Sequence, residues 1–553
     1  MSHMLRRLEL NNLQKTIAAS ILWALIVNCN QSPNVIPELT TTYPAMLAAG
    51  ESHYLVIEGH NFYPAVGWST MDDEARLDFD YTVGLPGLPA GEVFVLGSKR
   101  LVAGFTPGAD APAGWYDLWV TSPTGTTGKL AQSVCVSRKK SLQLLYIRFR
   151  YQAGAIVGAD LHSVDYLTHA GPWLLIENAV PLTGSGFALS PDGNLAAFYR
   201  FRYSGEDQFA QLVLARLGRT MDQVLWERLL VEIPQNGIDD YIELPVFSPD
   251  SRMIAYIENG RRLVAGPVPQ EENDAFEPRI LVEEPIDSGA RLYAADISPD
   301  SDTVVYSRVS NPGSTLNEVD KSTLYRVSIG DPAPAELIPA AGGVGEHNAY
   351  GAFLPLGDRV LFLSDKLHLL INSPYGMLPV TGLHTVEPAS GKIGEVMGPA
   401  ATVLLSKPVV SPDGHWAACM GFLSDRSLSG IDMLIINLQN GAVFRTAADH
   451  FADCEPTEPN SDNCPTLDVA PAFDPASKKL FVTAIPYYWK DTGQGVMAPE
   501  PRDFYQYMVD LPDPNDMPDP GNATLPANSH HKLPAALDNL AVFARLRQLL
   551  DCP

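Results

Sequence analysis

The stretch FALSPDGNLAAF, residues 187–198, reads as an apolar strand, a tight turn and a second apolar strand. It recurs without gaps as VFSPDSRMIAY (246–256), DISPDSDTVVY (296–306), AFLPLGDRVLF (352–362), VVSPDGHWAAC (409–419) and AFDPASKKLFV (472–482). The shared prolines, Pro191, Pro249, Pro299, Pro355, Pro412 and Pro475, are 58, 50, 56, 57 and 63 residues apart. A motif at this period marks a repeat architecture, and a four-stranded propeller blade takes roughly 40–50 residues. Pro suits the second position of a type I turn, Asp its polar positions, and Gly its close. The residue seven after each proline (Phe198, Tyr256, Tyr306, Phe362, Cys419, Val482) is expected on the second strand, facing the neighbouring blade. Asp192, Asp250, Asp300 and Asp413 recur once per copy, so they read as turn caps and not as a carboxylate cluster. Leu356 and Ala476 replace them in the other two copies.

Working outward, third strands follow at 211–217, 262–266, 323–329, 368–372, 433–438 and 504–511. No clear fourth strand comes after the last. WLLIEN (173–178) precedes the first copy and is expected to pair beside the last blade and close the ring. SLQLLYIRFRY (141–151) is strand-like; it is either a linker strand or part of a seventh, irregular blade. The copies resemble the TolB-type β-propeller repeat, whose signature is S-P-D-G followed by an apolar strand. The resemblance spans residues 172–511 and implies a propeller.

Residues 38–137 alternate short apolar runs with turn signals. Trp115, Asp117 and Trp119 alternate with Tyr116, Leu118 and Val120, the period of a strand with one buried face. Gly59-His60-Asn61-Phe62 and Gly114-Trp115-Tyr116-Asp117-Leu118-Trp119-Val120 resemble the turn and late strand of the IPT/TIG immunoglobulin-like domain. That resemblance implies an Ig-like β-sandwich, a spacer or interaction module.

The expected fold class is therefore all-β: an Ig-like sandwich, then a six-bladed propeller with seven blades as the alternative, then a short C-terminal helix. Residues 138–171 read as a linker with a strand. Residues 512–553 read as a Pro- and Asp-rich linker leading to a helix, with Leu537, Leu540, Phe543, Leu546 and Leu550 at helical spacing.

The chain of 553 residues carries 38 basic against 64 acidic side chains, a net charge of −26. That excludes nucleic acid and anionic membrane as main partners, since both need a basic surface. Residues 16–27 form an apolar run behind Arg6, Arg7 and Lys15, too short for a hydrocarbon core of about 30 Å. Residues 1–29 thus read as an export signal, and 30–37 as a tether. The segment ending at Cys29 resembles a bacterial lipoprotein signal, which implies lipidation of Cys29; Asn28 stands where that family has Gly, Ala or Ser. The expected location is the cell envelope: an outer-membrane lipoprotein, periplasmic or at the surface.

Chemical signatures are few. No G-x-S-x-G or H-E-x-x-H occurs. Cys454 and Cys464, ten apart in an exported chain, suggest a local disulfide. Asp453, Glu455, Asp462 and Asp468 around them are a calcium candidate, although the regular D-x-D-x-D-G spacing is absent; no other cofactor is expected.

Loop length is the better guide. Loops after second strands share a propeller face with the loops between blades, and here many are long. That face is expected to carry Tyr203, Asp239, Asp240 and Tyr241, then Glu346 and His347, then Asp425 and Arg426, and finally Tyr487, Tyr488 and Trp489. Aromatics among carboxylates suit a protein partner of basic character. The expected function is a non-catalytic, protein-binding envelope propeller, with the Ig-like unit as spacer. The alternatives are a lyase or hydrolase acting on a polymer, and a carbohydrate-binding or structural surface protein.

Overall fold

The structure, a computed structural model, describes residues 35–551 apart from 44, 70–73, 153–154, 180–186, 205–206, 236–241, 244, 310–321, 339–346, 366–369, 374–375, 380, 398–401, 424–431, 447–465, 492–496, 502–504, 513–522, 525–529 and 533–540. It forms two compact units that part between Ser137 and Arg138.

The first unit is a β-sandwich. One sheet orders Glu38–Tyr43, His53–His60, Arg100–Phe105 and Val93–Val95. The other orders Met46–Ala48, Thr127–Ser137, Gly114–Thr121, Thr82–Leu85 and Leu88–Pro89. Strand alternation sends Leu55, Ile57, Leu118 and Val120 into one shared core, while Trp115 stays exposed. Asn61 takes φ 69° and turns the chain so that Phe62 reaches that core, edge-on to Tyr81. Asn tolerates this left-handed conformation better than most residues. Cys135, buried in the second sheet, is disulfide-bonded.

The second unit consists mainly of seven antiparallel sheets, each built on four consecutive strand positions. Blade 1 orders Ala188–Leu189, Leu195–Ser204, Asp207–Leu217 and Val224–Pro234. Blades 2 to 6 repeat this order, beginning at Val246, Arg291, Asn348, Val409 and Thr466. In each, the motif turn joins the first strand to the second. Successive blades meet at apolar clusters: blades 1 and 2 around Tyr199 and Tyr256, 2 and 3 around Tyr306, 3 and 4 around Phe362, 4 and 5 around Cys419, and 5 and 6 around Val482. Phe198, Tyr256, Tyr306, Phe362, Cys419 and Val482 are all at most 2% exposed, on second strands against the preceding blade.

The ring has a seventh blade, the alternative to the expected six. Lys139–Gln152, Ala155–Asp165 and Trp173–Ile176 form its second, third and outer strands, and Ala541–Asp551 is its inner strand. Residues 138–171 are therefore not a linker. Residues 541–551 are strand, not helix, because pairing with Lys139–Arg148 overrides a local helical spacing. Trp173–Ile176 does not pair beside blade 6, whose own outer strand is His530–Lys532. That strand, and Ala523–Thr524 paired in parallel on blade 5, lie in the segment expected as a linker. The one helical element among the described residues is the 3-10 turn Ile286–Ser288.

Blade 7 packs on both neighbours and closes the ring. Leu142, Leu144, Tyr146 and Leu546 meet Phe481 and Met508 of blade 6, and Leu145, Ile147 and Leu161 meet Phe187 and Phe198 of blade 1. Arg547, 2% exposed, donates to Gln143 Oε1 at 3.0 Å within the blade and to the Gly218 carbonyl of blade 1 at 2.8 Å. Closure buries these apolar faces between blades 6, 7 and 1.

Candidate binding face and axial cluster

The two faces of the propeller differ. On one, the motif turns are short and alike. Ser190 Oγ donates to Asp192 at 2.6 Å and accepts the Leu195 N–H at 2.9 Å. Ser411 repeats this with Asp413 at 2.6 Å and Trp416 N at 3.0 Å. Ser248 and Ser298 do the same in blades 2 and 3, and in blade 6 Asp474 takes the N–H groups of Lys478 and Lys479. Each aspartate caps its own turn. Neighbouring turns also touch, since Asp192 N–H donates to Ser251 Oγ and Asp413 N–H to Ser477 Oγ.

The strand order puts the links between second and third strands on the opposite face, together with the links between blades. This connection face is elaborated. In blade 4 a separate hairpin, Leu370–Ser373 with Gly376–Pro379, stands between the second and third strands. In blade 6 the second strand, Lys479–Asp491, pairs with the third only as far as Ala484. Beyond that it runs on as a hairpin with Met497–Pro501 that contains Tyr487, Tyr488 and Trp489.

Of the other residues expected on this face, Tyr203 is 69% exposed near the end of its strand. His347 opens blade 4, its N–H donating to Asp365 Oδ1 at 2.8 Å. Asp239, Asp240, Tyr241, Glu346, Asp425 and Arg426 lie outside the described residues, as do Cys29, Cys454, Cys464, Asp453, Glu455 and Asp462. Asp468 falls in the strand Thr466–Phe473, its side chain outside the description. Among the described residues no group of three His, Cys, Asp or Glu side chains is placed to hold a metal ion.

A second site went unread in the sequence. The first strands of successive blades touch one another and so surround the axis. In blades 3, 4 and 6 this strand is interrupted by a bulge, with Ala294, Tyr350 and Ala470 at φ 54°, 61° and 53°. A bulge takes backbone groups out of the ladder, and side chains then satisfy them. The Ala294 N–H donates to Glu243 Oε2 at 2.8 Å. Lys407 Nζ, from blade 5, donates to the Ala295 carbonyl at 2.7 Å and to Asp296 Oδ1 at 2.8 Å. Asp296 Oδ2 accepts the Phe353 N–H at 2.8 Å. Arg545 of blade 7 reaches the Ala470 carbonyl at 3.2 Å.

Glu243 is the electrostatic centre of this cluster. Burial pushes its carboxyl up to about 7, while the Ala294 N–H and Lys407 pull the other way. Glu243 as a whole residue is half-buried. Burial, and then the charge of Glu243, raise the hydroxyls of Tyr199 and Tyr350. The Tyr199 hydroxyl is fully buried with no hydrogen-bond partner among the described residues. The rings of Tyr293 and Tyr350 meet edge to face at 5.3 Å. Five consecutive blades thus contribute: Tyr199, Glu243, Asp296, Tyr350 and Lys407. The available signal was a charge just ahead of an apolar inner strand, Glu243 before Pro245 and Lys407 before Pro408.

No known protein family and no curated protein matches this chain. Solved structures similar to it include a putative TolB from Agrobacterium tumefaciens, at 15% identity over 58% of this chain and 94% of that one, with a TM-score of 0.31. An oligogalacturonate lyase in complex with manganese is 13% identical over 68% of this chain and 98% of its own, TM-score 0.31. Prolyl oligopeptidase B from Galerina marginata, bound to a 25mer macrocyclization substrate, is 10% identical over 67% and 52%, TM-score 0.38. Scores this low carry no argument about what the chain does. The propeller rests on its own sheet order and inter-blade cores.

Proposed function

We propose that this is an exported envelope or surface protein whose propeller binds a protein partner through the connection face, without catalysis. The Ig-like unit serves as spacer or second interaction module, and a lipid on Cys29 supplies the only membrane attachment. The observation that carries this reading is the asymmetry of the faces. Short turns, capped by Ser or Asp side chains in five of the six motif copies, occupy one. The other bears the extra hairpin of blade 4 and the extended hairpin holding Tyr487, Tyr488 and Trp489. Rigid rings bind through elaborated loops of this kind. Large aromatics anchor interfaces, and each anchor is worth about 2 kcal/mol or more. A net charge of −26 favours a basic partner and speeds its approach at low salt.

The test is capture from native envelope extracts by crosslinking. Replacing Tyr488 and Trp489 with Ala should abolish capture at unchanged thermal stability, and association should slow as salt rises. Loss of capture from changes at the Pro-Asp turns alone would move the site to the other face. Turnover of a polymer by the purified protein would put an enzyme in place of this reading.

A further inference from the structure

Among the described residues, one carboxylate of the axial cluster has no ion-pair partner. Both oxygens of Asp296 are engaged, one by Lys407 and one by the Phe353 N–H. Lys407 is in turn held by Asp296 and by the Ala295 carbonyl. Glu243 accepts a single N–H, from Ala294, and forms no ion pair among the described residues. An enclosed carboxylate without a cation in contact is costly, and a ligand that brings one recovers that cost. Tyr293, next to Ala294 in the chain, meets the ring of Tyr350. The charge of Glu243 acts on Tyr350 and on the Tyr199 hydroxyl, which has no hydrogen-bond partner among the described residues.

We infer that this cluster binds a small organic cation, an ammonium compound seated on Glu243 beside the rings of Tyr293 and Tyr350. Aromatic faces attract ammonium groups, and the attraction strengthens where water is excluded. An anion fits poorly, because the nearby cation is already neutralised by Asp296 and Glu243 repels it. A metal ion fits poorly too, because it needs several oxygen donors and those of Asp296 are taken. Glu243 and Lys407 lie in links between blades, so this site belongs to the axial end of the connection face, but it rests on the Ala294 bond and the ring pair and not on a protein partner.

Binding requires ionised Glu243, so a proton leaves when the ligand enters below neutral pH. Among the described residues, Lys407, Asp296, Tyr199 and Tyr350 are the titratable groups that couple to or flank this carboxyl, and the tyrosines stay neutral across the range. Affinity should therefore climb about tenfold from pH 6 to pH 8 and then level off.

Calorimetric titration of the full chain with tetramethylammonium chloride, against sodium chloride and tert-butanol, tests this. Saturable binding of the ammonium ion alone is expected. Its heat at pH 6 should vary with buffer ionisation enthalpy as a proton is released. Glu243→Gln should abolish binding, and Tyr350→Leu should weaken it several-fold. Equal binding of tert-butanol, or no saturable binding of the ammonium ion, would overturn the inference. So would unaltered binding by Glu243→Gln. The proton release is measured on the unaltered protein, so its absence counts against the site even if a variant folds poorly.

Discussion

Leu546 lies directly opposite Leu144 in one sheet, and both are buried against blade 6. This pair joins a strand near the C-terminus to one that immediately follows the Ig-like unit. The ring is therefore completed by two distant stretches of chain meeting in one blade. Tyr146 marks the equivalence of that blade with the others. It stacks on His162 across the second and third strands at 5.8 Å, as Tyr306 stacks on Tyr325 and Phe362 tilts over His384, each at 5.7 Å.

Removing residues 541–551 should cost far more stability than removing residues 172–178. The first deletion exposes the inner edge of the sheet and the apolar faces of blades 6 and 7, whereas the second takes only an outer strand. Chemical denaturation should show a lower midpoint for the first. Leu546→Ala alone should cost about 3 kcal/mol. Equal effects from the two deletions would mean that the inner strand does not hold the ring.

Ser411→Ala should destabilise the protein by about 1–2 kcal/mol, because it strips a hydroxyl that both accepts the buried Trp416 N–H and steadies Asp413. Ser298→Ala should act alike through the Thr303 N–H. Urea midpoints of the two variants, with thermal midpoints as a check, would measure this.

Glu243 predicts a particular pH dependence. Its folded carboxyl titrates near 7, above the ordinary glutamate range, so the folded state holds the proton more tightly than the unfolded chain does. Its effect is absent below the unfolded value near 4.5 and grows as pH rises to 7, where stability falls. Glu243→Gln should equal the unaltered protein at pH 4.5 and exceed it at pH 8. With partial solvation discounted, the gain is on the order of 1–3 kcal/mol. Equal stability at both pH values would show that the carboxyl is not enclosed.

Cys29→Ser should shift the protein from membranes to the soluble fraction, read by fractionation and intact mass. A soluble unaltered protein with no lipid mass would dismiss the anchor.

The connection face was legible because loop length can be counted along the chain. The axial cluster was not, because its members come from separate blades and share no motif. Glu243 and Lys407 look like ordinary loop charges until the ring brings both to the bulge at Ala294 and Ala295.

Sequence alone determined the blade. The turn chemistry of Ser190-Pro191-Asp192-Gly193 and its copies is local, so each motif specified its own strand pair and the buried residue seven beyond the proline. Only the tertiary structure decided the number of blades. A seventh motif turn would have to link a first strand to a second, and in the seventh blade those strands are Ala541–Asp551 and Lys139–Gln152. No turn connects them, so no motif could appear. Helical spacing in the last apolar run had no force against an open sheet edge whose unpaired backbone groups needed a partner.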